Sequence, residues 1–162
     1  MSELSRGEHV TEVSNNSRQD IDTALAWDVA RQMLSQDSAS TRFGMELLSM
    51  APGRAEVSMR IRSDMLNGLG SCHGGIIFSL ADTAFAFACN SRNEVTVAAG
   101  ASIEFLRPGI SEQLLIATAE EAERFGRHGI YDVVVRNNQG EIVAVFRGKS
   151  TQRRGQVLPA SA

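Results

Sequence analysis

Apolar and small residues dominate one stretch in the middle of the chain, and this stretch predicts a helix that is buried on most of its faces. Between residues 76 and 89 the polar side chains are Ser79, Asp82 and Thr83, and a helix that is apolar nearly all round is typical of a protein core. Residues 21–36 instead repeat apolar side chains at helical spacing, which predicts an amphipathic helix on the protein surface.

Segments in which apolar and polar residues alternate predict β-strands around the central helix. These strands are predicted at residues 43–50, 55–61, 95–105, 113–121, 130–136 and 142–151. The last two are joined by four residues rich in Asn and Gly, which is typical of a hairpin. The predicted fold class is α+β, with an antiparallel sheet wrapped around one long helix. Such a sheet leaves edges open, which favours pairing of two copies.

Length and composition predict one soluble domain. The chain has 162 residues, 43% hydrophobic residues and a net charge of -3, which is enough for a single core. We expect residues 1–20 to be a disordered arm, residues 21–153 to be the domain and residues 154–162 to be a flexible tail. The charge gives no sign of nucleic-acid binding. The apolar run is too short to span a bilayer and the N-terminus lacks a signal peptide's apolar core, so we expect no membrane partner and a cytoplasmic location.

Two familiar kinds of catalytic site are not supported by the spacing of the residues. Cys72, His73 and Cys89 do not match a zinc-binding pattern, and two cysteines without a secretory signal are expected to be free thiols. Ser79 does not lie in a Gly-x-Ser-x-Gly turn. We therefore expect no metal and no serine nucleophile.

The most unusual residue of the central helix is Asp82. An ionised carboxylate removed from water is unfavourable by about several kcal/mol unless partners compensate. One interpretation is that Asp82 faces a solvent cleft or pairs with an arginine, and the other is that it is a functional acid.

A glycine-rich loop with the sequence NGLGSCHGG leads into this helix. Gly74 and Gly75 fall where the helix should begin, so their N–H groups lack intrahelical partners and could donate to a phosphate or a polarised carbonyl oxygen. The simpler alternative is that these glycines only permit a tight turn and close packing. Asp82 follows Gly74 by eight residues, or about 12 Å along a helix. One substrate atom cannot contact both, so the two can cooperate only across a two-fold axis, in a dimer.

Three segments carry a resemblance to a known family: residues 67–91, the sequence SIEFLRPG at residues 102–109 and FRGKS at residues 146–150. Together they closely resemble the hotdog-fold acyl-CoA thioesterases of the phenylacetate-degradation, or PaaI, type, over about residues 24–153. The resemblance implies a hotdog fold, an acyl-CoA substrate and no separate cofactor, since coenzyme A is part of the substrate. It also implies a homodimer with active sites at the interface, assembled into a homotetramer.

The resemblance also implies roles for individual residues. Asp82 matches the family's catalytic acid, which acts either as a nucleophile or as a general base on water. Gly74 matches the glycine whose N–H polarises the thioester carbonyl, and Gly75, the next residue of the same turn, is expected to contact the substrate. Asn67 matches an asparagine of the other subunit's pocket wall, near the point of attack. His73 matches a histidine beside the oxyanion glycine, with an orienting role.

Further residues are expected to contact the substrate or the attacking water. Some family members hold the water with a serine on the strand near residues 99–100, but here this stretch has no hydroxyl before Ser102, and Thr83 beside the acid is the substitute. Arg107, Arg147 and Lys149 lie at predicted strand ends and could bind the phosphates of coenzyme A. The alternative for these three is that they are solvated charges.

Other functions remain open from the sequence. A non-catalytic acyl-CoA binding module could use the same fold, and a hotdog dehydratase or hydratase would use a His and an acid for proton transfer at carbon. Within the thioesterases, the resemblance favours an aromatic acyl group such as phenylacetyl-CoA or hydroxyphenylacetyl-CoA, and short or medium acyl chains are the alternative.

Overall fold

A six-stranded antiparallel sheet curves around one central helix in the computed structural model. The structure describes the backbone of residues 6–159 and the side chains from Ser17 onwards. The strands lie side by side in the order β1-β2-β4-β5-β6-β3, so the predicted α+β class is confirmed. The elements are α1 Arg6–Gln36, α2 Ser38–Arg42, β1 Glu46–Ala51, β2 Arg54–Arg60, a 3-10 turn Ser63–Met65, α3 Gly74–Asn90, β3 Thr96–Phe105, β4 Leu114–Phe125, β5 His128–Asn137 and β6 Ile142–Gln152.

The central helix α3 lies directly on the sheet. Its apolar faces are buried as the sequence predicts, and Phe85 is 1% exposed. A Cβ atom added at Gly148 of β6 would lie 2.8 Å from the Phe85 ring, which is closer than packed atoms approach. The absence of a side chain at this position therefore lets the helix reach the sheet. Burying one such phenylalanine contributes about 1.5–3 kcal/mol to folding.

Strand β3 forms one edge of the sheet and is largely exposed. Its start is fixed to the end of α3, because the buried Asn90 side chain donates to the Thr96 carbonyl and accepts from the Thr96 N–H, both at 2.9 Å. Its outer side has no strand partner among the described residues. About every second residue of this ten-residue strand therefore presents an unpaired backbone N–H and C=O group on that side, a surface suited to pairing with another strand.

The structure differs from the predicted chain ends. Helix α1 begins at Arg6, so residues 6–20, predicted as a disordered arm, are helical in the structure, and this stretch contains no proline to interrupt a helix. Residues 1–5 lie outside the described part. In the predicted tail, the Leu158 N–H donates to the Asn93 Oδ1 at 2.8 Å, so this part of the tail is attached to the loop before β3. The domain boundaries stay a prediction.

Two short elements were not predicted at all. Asp37 caps α2 by accepting from the N–H groups of Ala39 and Ser40, both at 3.0 Å, and this capping favours a helix of only five residues. The 3-10 turn before the glycine-rich loop is shorter still, with three residues. In the described part of the chain, no helix is long and apolar enough to span a bilayer.

Candidate active site

The two glycines at the start of α3 do not play the same part. His73 caps the helix, since its Nδ1 accepts from the Gly75 N–H at 3.0 Å and its carbonyl accepts from Ile76 and Ile77 at 2.9 and 3.3 Å. The Gly74 N–H has no acceptor among the described residues. Gly74 is therefore the residue of this turn that can donate to a ligand.

Close contacts explain why glycine occupies both positions. A Cβ atom at Gly74 would lie 3.1 Å from the Phe105 ring, and one at Gly75 would lie 3.1 Å from His73 Nδ1. Neither glycine has a positive φ angle. Close packing, the simpler of the two interpretations, thus favours glycine at both positions, and the donor at Gly74 is available in addition.

The hydrogen bond from the Gly75 N–H to His73 is expected to stabilise the folded protein. Replacing His73 by alanine removes the acceptor of the Gly75 N–H and should lower the free energy of unfolding by about 1 kcal/mol. Asparagine is a good capping residue, so His73→Asn should recover most of this loss. The measurement is the urea midpoint of both variants and the wild type. Equal midpoints for His73→Ala and the wild type would show that the cap contributes nothing.

A cleft of about 330 Å³ lies beside this helix end. It is lined by Asn67, Ser71, Cys72, Gly74, Ile77, Phe105, Leu106, Arg107, Pro108 and Gly109. Two of the segments quoted from the sequence, the glycine-rich loop and the end of β3 with the residues after it, therefore meet at one place. The cleft combines apolar side chains, polar side chains and a free backbone donor.

Asn67 has a structural task in this loop. Its Oδ1 accepts from the Leu69 N–H at 2.8 Å, and its Nδ2 donates to the Ser71 hydroxyl at 3.1 Å. These bonds hold the turn that leads to the helix. Asn67 and Gly74 of one chain line the same cleft.

Asp82 lies away from this cleft, on a less buried stripe of α3. It is half-buried and forms no hydrogen bond or ion pair with the described part of the chain, so no arginine pairs with it there. Burial raises the pKa of its carboxyl group, because an apolar environment disfavours the charged form. A raised pKa makes a carboxylate a stronger base. Asp82 therefore combines incomplete solvation with a lack of partners, as expected of a functional acid.

Thr83, the neighbour of Asp82, has partners that the sequence analysis missed. Its hydroxyl lies 3.1 Å from the Ser40 hydroxyl, which bonds to the Asp37 carboxylate at 2.5 Å. The position of Asp37 before a short polar run could have indicated a helix cap. The contact with Thr83 could not have been found, since it joins residues 43 positions apart.

The remaining predicted substrate residues are divided between two surfaces. Arg107 lines the cleft, where its guanidinium donates to the Ile142 carbonyl at 2.8 Å. Ser102, Arg147 and Lys149 lie on β3 and β6 with side chains on the sheet face opposite α3. Arg147 forms two hydrogen bonds there with Asp132, at 2.6 and 2.7 Å. The structure does not bring these three residues to the cleft.

The two cysteines have little nucleophilic character. Burial raises the pKa of the Cys72 thiol, although Cys72 lines the cleft. Burial, together with the charge of Asp82, raises the pKa of Cys89 to about 12. Neither thiol is ionised near neutral pH. Within the described ranges, no group of three His, Cys, Asp or Glu side chains is arranged to hold a metal ion.

Comparisons with known proteins identify the family. The model of the thioesterase superfamily matches residues 69–144. The acyl-coenzyme A thioesterase PaaI of Escherichia coli (strain K12) is 45% identical over 132 residues, which cover 82% of this chain and 94% of the relative.

Solved structures agree with this assignment. The structure of the E. coli PaaI protein from the phenylacetic acid degradation operon superposes with a TM-score of 0.82 at 44% identity, over 83% of this chain and 97% of that one. A point mutant of the phenylacetic acid degradation protein PaaI from Thermus thermophilus gives 0.70 at 34% identity, over 72% and 100%. The chain therefore belongs to the thioesterase superfamily, as a PaaI-type enzyme with the hotdog fold.

Proposed function

We propose that this thioesterase hydrolyses acyl-CoA at a site that combines Gly74 of one subunit with Asp82 of another. The thioester carbonyl oxygen accepts a hydrogen bond from the Gly74 N–H, aided by the positive end of the α3 dipole. Asp82 acts on the carbonyl carbon, either directly or by deprotonating a water. The C–S bond then breaks, and the products are the free acid and the thiol of coenzyme A.

One observation carries this proposal: α3 holds an unpaired donor at its start and an unpaired carboxylate two turns later. Gly74 and Asp82 are eight residues apart, or about 12 Å along the helix. Both groups must lie within hydrogen-bond reach of one thioester. A second copy, related by a two-fold axis, supplies the missing group at each site.

The exposed edge of the sheet supports a homodimer. β3 ends at Phe105, in the wall of the cleft, so a partner strand along β3 would bring a second subunit next to that cleft. We propose that two such dimers form a homotetramer, as the PaaI resemblance implies. No cofactor other than the coenzyme A of the substrate takes part.

An aromatic acyl group is the proposed substrate class. The two PaaI relatives are named for phenylacetic acid degradation. The side chains of Ile77, Phe105 and Leu106 give the cleft apolar walls that suit an aromatic ring. Arg107 is the cationic residue of this wall, so we assign to it the first contact with the phosphates of coenzyme A. Arg147 and Lys149 can serve only phosphates that reach the other face of the sheet.

The proposed reaction and substrate class can be tested in one assay. Release of free thiol should be measured for phenylacetyl-CoA, hydroxyphenylacetyl-CoA and straight-chain acyl-CoAs of short and medium length. We expect the highest kcat/KM for the aromatic substrates. If a straight-chain acyl-CoA gives the highest kcat/KM, the protein is a hydrolase but the proposed aromatic substrate is wrong. If acyl-CoAs bind but none releases free thiol, the protein is a binding module. A dehydratase would have only the Nε2 of His73 for proton transfer, because its Nδ1 accepts from the Gly75 N–H.

A further inference from the structure

The contact between α2 and α3 bears on how the attacking water is held. We propose that Thr83 positions this water as a hydrogen-bond acceptor, and that Ser40 and Asp37 hold the Thr83 hydroxyl in that state. This inference rests on the proposed function, since it concerns the water that Asp82 would activate.

Asp37, which precedes α2, is an ionised hydrogen-bond acceptor. Burial raises the pKa of its carboxyl group, but hydrogen bonds from the Ser40 hydroxyl and from the N–H groups of Ser40 and Ala39 outweigh burial and leave the pKa below its ordinary value. Near neutral pH the group carries no proton. It can only accept hydrogen bonds.

The direction of the next bond follows from counting protons. Ser40 is 2% exposed, and its hydroxyl lies 2.5 Å from Asp37 Oδ2, so its single proton points to Asp37. The Thr83 hydroxyl, 3.1 Å away, must then be the donor to Ser40. No other hydrogen bond of the Thr83 hydroxyl is formed within residues 17–159. Its proton is thus committed, and a lone pair remains available.

A hydroxyl in this state can orient a water beside Asp82. Asp82 and Thr83 are consecutive residues of α3, so their side chains leave the helix about 100° apart, and we place the attacking water between them. Such a water would donate one proton to the Asp82 carboxylate and the other to Thr83 Oγ1. Its lone pair would then be directed at the thioester carbonyl. Without Ser40, the Thr83 hydroxyl could rotate and donate to the water or to Asp82 instead.

These groups account for each proton and each bond in the hydrolysis step. The water oxygen forms a bond to the carbonyl carbon while one water proton passes to Asp82, and the negative charge on the carbonyl oxygen is stabilised by the Gly74 N–H. Collapse of this intermediate breaks the C–S bond, and the proton on Asp82 passes to the departing thiolate. Thr83 exchanges no proton in this step, so it is a positioning residue.

The test is a double-mutant cycle on the full chain with one acyl-CoA substrate. Thr83→Val should lower kcat about tenfold or more with KM nearly unchanged, since one orienting hydrogen bond is lost. Thr83→Ser should restore most of kcat because it keeps the hydroxyl. Ser40→Ala should lower kcat by about threefold to tenfold in the wild type but have no further effect in Thr83→Val. Ser38→Ala, an exposed serine of the same short helix, is the matched control.

Several outcomes would overturn the inference without affecting the proposed function. An unchanged kcat in Thr83→Val would do so, as would additive losses in the double variant or a loss that appears only in KM. If Thr83→Val does not fold, Ser40→Ala decides, and an unchanged kcat there would reject the inference. Asp82→Asn is measured in parallel, and full activity of that variant would reject the proposed function itself.

Discussion

Replacing Asp82 by asparagine should lower kcat by about a thousandfold or more, with little change in substrate binding. The amide is nearly isosteric with the carboxylate, but it can neither attack the thioester nor accept a proton from water. The measurement is steady-state thiol release combined with direct binding of a non-hydrolysable acyl-CoA analogue. Residual activity within about tenfold of the wild type would rule out Asp82 as the catalytic acid.

The same residue should set the acid limb of the pH profile. Burial raises the pKa of Asp82, so the active, ionised form is lost as pH falls through a value above the ordinary carboxyl pKa of about 3.9. For stability the sign is opposite: a raised folded-state pKa means that protonation favours the folded state, and this contribution is lost as pH rises through that pKa. Asp82→Asn should therefore be at least as stable as the wild type at neutral pH, which separates loss of chemistry from loss of fold.

Removal of the Gly74 N–H is expected to have the second large effect on kcat. Gly74 is the first residue of α3, and proline is accepted there because its φ angle suits a helix. His73 has φ -60 and ψ 130, which a following proline also tolerates. Gly74→Pro should lower kcat by about 10²–10³-fold through loss of the oxyanion donor. Gly74→Ala is the matched control, because it brings a Cβ equally close to Phe105 but keeps the N–H group. Equal losses in both variants would assign the effect to crowding.

Mixing the two inactive variants tests the shared site. A dimer of one Asp82→Asn chain and one Gly74→Pro chain has one intact site if each site takes one group from each chain. Random exchange should then restore about a quarter of wild-type activity. If both groups act within one chain, the mixture stays as inactive as its components.

The sequence predicts the elements of the fold better than their arrangement. Alternation of side chains predicted a strand at residues 55–61, which matches β2 at Arg54–Arg60. Alternation indicates the face of a sheet but not the neighbouring strand, so the position of β3 beside β6 at the sheet edge could not be predicted. The predicted end of β4 at Glu121 is too early, because polar residues interrupt the pattern where the strand continues through a bulge to Phe125.

In the candidate site, too, the sequence predicts individual residues better than the contacts between them. Asp82 stands out in the sequence because apolar residues surround it. Gly74 stands out because it lies at the predicted start of a helix. Arg147 was predicted from its charge and a place at a strand end, but it lies in the middle of β6. Its pairing with Asp132 depends on the register of β5 and β6, which charge does not reveal. The bond between Thr83 and Ser40 depends on the docking of α2 against α3, and no local pattern contains that information.

The glycine of β6 that contacts Phe85 has a consequence for evolution. Phe85 lies about one turn beyond Asp82 on α3, so we expect a change in the packing of Phe85 against Gly148 to move the carboxylate as well. A methyl group there would force the buried Phe85 ring, or the helix that carries it, to shift, and a displacement of about 1 Å at a reacting group can cost as much as a hundredfold in rate. Position 148 is thus constrained by the proposed chemistry without contacting the substrate, and laboratory selection for activity should retain glycine there even when stability is supplied from elsewhere.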